Sequence, residues 1–166
     1  RFIEEMGKED VRFSGGKSQS LPDKATGTAR LEAMKAMLAE INATAAELAG
    51  QPGLANIAAQ LKAGAAALEN ATDWIIANYV DNAPTVHAGS VPFLWLTGTV
   101  TGGWLLAKSA AIAAQRLAAG DADPYYTAKI ATAEYFATHQ LPFAAAYAAE
   151  VTGGGASVFA LPENLF

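Results

Sequence analysis

Residues 93–109 read FLWLTGTVTGGWLLAKS, and the positions from Val91 to Ala107 carry no charge. Such a stretch suits a membrane span, a phosphate-binding loop or a helix packed closely among other helices. A P-loop needs Gly-Lys-Ser/Thr after four spacer residues, so that backbone amides and the lysine converge on phosphate. Here Lys108-Ser109 follows Ala107, five residues past Gly103, and no strand pattern precedes the glycines. Dinucleotide spacing fails as well, because Gly98, Gly102 and Gly103 are followed by Trp104. A span is short at this length, since about 17–25 apolar residues are needed. Gly98 and Gly102 have small-xxx-small spacing, but Pro92, Thr97, Thr99 and Thr101 interrupt the run and no basic cluster flanks it. The third reading fits best. A helix apolar on most faces is one covered on most faces, and Gly98 and Gly102 would let another backbone approach while Trp95 and Trp104 fill space on either side. Each glycine costs about 1 kcal/mol of helix propensity relative to alanine, so close packing there must offset more than that.

The surroundings support a helical protein. A chain of 166 residues suits one domain with a substantial core. Hydrophobic residues make up 52%, many of them alanine, which points to small-residue helix packing. Charged residues are only 16%, low for a domain whose whole surface meets water, so one face is expected to be covered by something else. The net charge of -5 argues against nucleic acid and anionic membrane as partners, because phosphate binding needs clustered Lys and Arg. Cysteine is absent, which removes disulfides and thiolate chemistry and fits a reducing cytoplasm. Arg1-Phe2-Ile3 runs at once into Glu4 and Glu5, unlike a secretory leader, and a start without Met suits a piece of a longer protein.

Along the chain, residues 1–27 read as an irregular lead-in with a Gly- and Ser-rich linker, and residues 28–166 as a helical bundle domain. From Thr28, the residues Leu31, Met34, Leu38, Ile41, Ala45 and Leu48 alternate spacings of three and four, a heptad seam that Gly50 and Pro52 end. A second helix from Gly53 carries Leu54, Ile57, Leu61, Ala65, Leu68, Thr72, Ile75 and Tyr79 on one stripe and stops near Val80, where Asp81-Asn82-Ala83-Pro84 turns the chain. The third helix is predicted from Ser90 as N-cap, with Pro92 in its first turn, to Ala119, closed by Gly120. The fourth starts at Asp123 with Pro124 at N1 and continues to about Val151, kinked at Pro142. It ends in Gly153-Gly154-Gly155, and an apolar tail, Ser157 to Phe166, is expected to dock. No alternating β pattern persists, so the fold class is all-α, an antiparallel four-helix bundle with an irregular N-terminal lead-in and a short C-terminal tail.

Candidate chemistry is sparse. His87 and His139 are the only histidines, and Glu134 lies five residues before His139, poor spacing for joint ligation on one helical face. No metal site and no catalytic residue is assigned, and Glu134 with His139 reads as a surface or interface pair. Nothing marks a nucleophile on a strained turn. The sequons at Asn42-Ala-Thr44 and Asn70-Ala-Thr72 lie inside helices. Tyr125, Tyr126, Tyr135 and Phe136 sit at bundle spacing without interleaved basic residues and read as core rather than as a base-stacking platform.

The runs AEINATAAELAG, ALENATDWIIAN, VTGGWLLAKSA, YYTAKIATAEYFATHQLP and VTGGGASVFAL resemble, in order, the extra C-terminal helical domain of some bacterial acyl-CoA dehydrogenases, including the methylmercaptopropionyl-CoA dehydrogenase type. The resemblance covers about residues 29–166. It implies a parent enzyme that holds FAD and removes hydrogens from Cα and Cβ of an acyl-CoA thioester. In that family the base lies in a Tyr-Glu-Gly-Thr-like segment upstream of this domain; residues 1–28 contain no such segment, and Glu4 and Glu5 in RFIEEMGK do not match it. The chain alone is therefore expected to bind no cofactor and to be inactive. Gly102-Gly103-Trp104, Ala128-Lys129 and Leu141-Pro142 match the family's signature positions and are read as structural: the glycines for close packing, Lys129 to cap or pair at a domain face, Pro142 to set the kink. The implied partners are the remainder of the dehydrogenase and further copies of the subunit, with no nucleic acid and no membrane. An independent helical ligand-binding or membrane-associated module is the alternative.

Overall fold

The computed structural model describes residues 24–161, with side chains from residue 32. The lead-in up to residue 23, the end of the tail and the side chain of Leu31 in the first seam fall outside what is described. Backbone contacts divide the chain between Ala39 and Glu40, and packing is described within the larger, C-terminal unit. Among the described residues every element is a helix, as the sequence pattern requires: α1 (Lys24–Ala49), α2 (Ala55–Asn78), α3 (Ala83–Ala88), α4 (Ser90–Ala118), α5 (Pro124–His139), α6 (Phe143–Gly153) and α7 (Gly155–Val158).

The apolar stripes account for the burial. Leu38, Ile41, Ala45 and Leu48 of the first seam are buried, as are Leu54, Ile57, Leu61, Ala65, Leu68 and Ile75 of the second. Thr72 is the buried polar member of that stripe, and its hydroxyl donates to the Leu68 carbonyl at 2.7 Å, which satisfies it inside the helix. α4 packs against α2, α5 and α6, and α2 packs against α5 and α6. The caps follow the sequence signals. Gly120 adopts φ +88, with its N–H on the Leu117 carbonyl and that of Asp121 on the Arg116 carbonyl, a Schellman closure open to glycine. Asp123 Oδ1 accepts from the Tyr125 N–H at 2.9 Å, and Pro124 begins α5 where its missing N–H is not needed.

Four details differ from the sequence reading. α1 begins at Lys24, inside the lead-in expected over residues 1–27. The Asp81–Pro84 turn leads into the short helix α3, because Pro84 is compatible with a first helical turn. Gly89, not Ser90, caps α4; the Ser90 hydroxyl instead donates back to the His87 carbonyl at 2.7 Å. Pro142 does more than kink the fourth arm, since Gln140-Leu141-Pro142 leave the helix and separate α5 from α6. Pro142 has no N–H to continue the α-ladder. The break is bridged by tighter bonds, Phe143 N–H to the Gln140 carbonyl and Ala144 N–H to that of Leu141.

That break drives Leu141 inward. Its side chain is buried at 2% exposure and lies between two glycines, Gly64 on α2 and Gly103 on α4. A Cβ built on Gly103 would stand 2.7 Å from Leu141 Cδ2 and 3.0 Å from Cγ, and one on Gly64 would stand 3.3 Å from Cδ2. Burying a leucine contributes about 1.5–3 kcal/mol, which outweighs the propensity lost at either glycine. A second glycine joint closes the C-terminal end. At Gly155 an added Cβ would overlap the Thr85 side chain and lie 3.1 Å from its Cα, so the glycine run lets α7 meet α3 directly.

Gly103→Ala should therefore lower the unfolding midpoint, because overpacking of about 1–3 kcal/mol exceeds the propensity gain of under about 1 kcal/mol. Leu141→Ala alone should cost about 2–5 kcal/mol. In the Leu141→Ala background, Gly103→Ala should become neutral or stabilising. Thermal unfolding of the four proteins measures this coupling, and simple additivity would reject the socket.

Candidate interaction surface

α4 has a buried and an open side that its apolar sequence conceals. Phe93, Leu96, Val100, Gly103, Ala107 and Ala110 face the core. Val91, Leu94, Trp95, Leu105 and Ile112 are each more than half exposed. The expectation that α4 is covered on most faces is corrected for the described residues: they cover one side and leave an apolar stripe open. The close approach expected at Gly98 and Gly102 is likewise displaced. A Cβ on Gly98 would meet nothing within 4 Å, and one on Gly102 would make only an ordinary 3.5 Å contact with Phe136 Cζ. The tight position is Gly103, and what approaches it is the Leu141 side chain rather than a backbone. Gly98 thus carries its helix cost of about 1 kcal/mol with no return from the described residues.

The other singled-out residues are dispersed. Trp104 is half-buried and donates from Nε1 to Thr44 Oγ1 at 2.9 Å, tying α4 to α1; the Thr44 hydroxyl donates in turn to the Glu40 carbonyl. Lys108 Nζ lies 4.7 Å from the Trp104 ring centre. Lys129 is half-buried and holds Nζ 5.1 Å from the Tyr125 ring centre, a cation–π contact on its own helix. Trp95 rests against Tyr147, at 5.7 Å between ring centres, and Tyr147 stacks on the exposed Phe143, which adds an aromatic border to the stripe.

Several expectations about the polar and aromatic residues are corrected. Glu134 and His139 do not pair. Five residues apart, they sit about 140° apart around the helix; Glu134 Oε1 accepts from Asn56 Nδ2 on α2, while His139 packs on the Tyr135 ring at 4.5 Å. Tyr125 and Tyr135 are exposed and Tyr126 and Phe136 half-buried, so these aromatics are not core. Ala133 and Ala137 form the buried face of α5, and their small size brings α5 close to its neighbours. In the described part of the tail, Val158, Phe159 and Leu161 stay exposed.

Chemically the arrangement is quiet. Among the described residues no three His, Asp or Glu side chains come together. The Asp121 carboxylate, as hydrogen-bond partner, holds the Tyr126 phenol above its usual range. Between Ser90 and Ala118 there is no acidic residue, and the basic ones are Lys108 and Arg116. Among the described residues no helix is long and apolar enough to cross a membrane. The most distinctive feature is the open stripe. Sequence reasoning missed its outward direction, although the spacing of Val91, Gly98, Leu105 and Ile112, one heptad apart each, is the signal of a helix seam.

Comparison with known proteins identifies the chain. Residues 37–162 match the family described as Acetyl-CoA dehydrogenase C-terminal like. The 3-methylmercaptopropionyl-CoA dehydrogenase of Ruegeria pomeroyi is 38% identical over 119 residues, covering 71% of this chain and 20% of that protein. The chain belongs to this C-terminal family, and its match spans about a fifth of the length of the curated relative.

Trp104→Phe should cost about 0.5–1.5 kcal/mol, the worth of one hydrogen bond, and Thr44→Val a similar amount. Because both remove the same contact, the double variant should lose less than the sum, measured by chemical denaturation. Full additivity would show that the contact is not made.

Proposed function

We propose that this member of the acyl-CoA dehydrogenase C-terminal family is the accessory domain of an FAD-dependent, cytoplasmic acyl-CoA dehydrogenase, acting by packing on the remainder of the enzyme and by helping its subunits associate. The parent reaction would be α,β-dehydrogenation of an acyl-CoA thioester, for which a flavin and a carboxylate base outside the described residues would supply the redox and acid–base chemistry. The observation that supports the packing role is the open apolar stripe of α4: five large side chains left in water on one helix are the mark of a surface that another protein covers.

The described residues do not fit the flavin. The buried glycines that could admit a flat ring are already filled, Gly103 and Gly64 by Leu141 and Gly155 by Thr85. Glu134 Oε1 accepts from Asn56 Nδ2, while Oε2 is buried without a hydrogen-bond partner among the described residues; a lone buried carboxylate oxygen offers a flavin no donor set. The flavin and the base are therefore assigned to the remainder of the parent enzyme, and no step is routed through the described residues.

Purified alone, the chain should be colourless and should not reduce an electron acceptor with any acyl-CoA. Co-expressed with the rest of a dehydrogenase of this type, it should co-purify with it. A stoichiometric yellow flavin retained by the isolated chain after dialysis would overturn this assignment.

A further inference from the structure

The stripe on α4 has an internal symmetry that names its occupant. Val91, Gly98, Leu105 and Ile112 follow one another at intervals of seven residues, the repeat that keeps a seam facing another helix. Midway between Gly98 and Leu105 lie Thr101 and Gly102. A two-fold axis crossing there, with two α4 helices antiparallel, sets the exposed Leu105 of each copy against the bare Gly98 of the other and Val91 against Ile112. Large thus meets small at the centre and medium meets medium at the ends. We propose that a second copy of this chain covers the α4 stripe through this antiparallel contact, with Leu105 seated over Gly98 across the two-fold axis.

Three observations support a second copy. Gly98 is a mid-helix glycine whose added Cβ would meet nothing within 4 Å, so nothing in the described protomer uses the space that it leaves; a leucine from outside would. Charge permits the pairing, since α4 has no acidic residue and the two copies of Lys108 would stand about 20 Å apart along the antiparallel helices. Area sets the strength. From Val91 to Ile112 the stripe is about 32 Å long, and with the Phe143–Tyr147 border it offers on the order of 500 Å² per copy, or about 1,000 Å² in the pair, the floor for a specific interface. The dimer is accordingly weak, dissociating in the micromolar range, and reinforces subunits already held together elsewhere. This deepens the subunit-association part of the proposed function and leaves its dehydrogenase part independent.

The chain has no cysteine, so single cysteines report geometry directly. In the full 166-residue chain, Thr101→Cys lies beside the axis, within the short Cα separation that a disulfide demands. Val80→Cys, on a position that is 84% exposed beyond the end of α2, is the control. Under mild oxidation Thr101→Cys should convert to a reducible dimer at least ten-fold faster than Val80→Cys. Sedimentation of the parent should show a dimer forming as concentration rises through the micromolar range. Gly98→Leu, which has room within the protomer, should keep the helical circular dichroism and unfold no earlier as a monomer, yet weaken dimerisation at least ten-fold. Leu105→Ala added to Gly98→Leu should restore part of it by exchanging knob and hole. Equal cross-linking at Thr101 and Val80, or a parent monomeric up to several hundred micromolar, would overturn the proposal. So would a Gly98→Leu variant that dimerises like the parent. A parent that stays monomeric but loses binding to the rest of the dehydrogenase on Gly98→Leu would assign the stripe to that partner instead, which rejects the second copy while sparing the accessory-domain reading.

Discussion

The seating of Leu141 between Gly64 and Gly103 is the constraint on which the arrangement of the other helices depends. A leucine side chain occupies the place where two helical neighbours have no Cβ, and only that double vacancy admits it. The position exists because Pro142 cannot extend α5, so the chain leaves the helix over three residues and turns its one large apolar residue inward. Sequence, backbone break and packing are linked here with little slack: lengthening α5 by a turn would carry Leu141 off its socket and move α6 relative to α2.

Seating that residue also decides which side of α4 is free. With Gly103 turned to Leu141, the positions half a turn away, among them Gly98 and Leu105, must face outward. The helix has almost no charge to advertise an exposed side, so orientation comes from the socket and not from amphipathicity. The result is a domain whose core is made by α2, α4, α5 and α6 with the C-terminal half of α1, and whose longest helix leaves an apolar stripe open among the described residues. That combination suits a piece of a larger enzyme better than a free-standing protein, and it agrees with a match that spans a fifth of the curated relative.

Much of this was legible in the sequence. The heptad seam of α1 and the stripe of α2 identify most of the buried residues, Met34 and Tyr79 being only half-buried, and the signals at Gly120 and Asp123-Pro124 place a helix end and a helix start, because caps and periodicity are local effects. The exposed side of α4 was not legible, since all its faces are apolar or small and the deciding contact comes from Leu141, nearly forty residues away. For the same reason the glycines misled. Spacing singles out Gly98 and Gly102, whereas the contact that needs a glycine lies at Gly103, one residue and about 100° further round the helix. The aromatic residues of α5 were misplaced because bundle spacing does not distinguish a face buried through alanine from one buried through rings.

The most direct measurement of the central constraint is the nuclear Overhauser pattern of the Leu141 methyl groups, with stereospecific methyl labelling in the intact chain. Strong cross-peaks are expected from Leu141 to the α protons of both Gly103 and Gly64. Leu141 methyls that show cross-peaks to neither glycine, or that give the sharp, averaged signals of a solvent-exposed side chain, would contradict that seating.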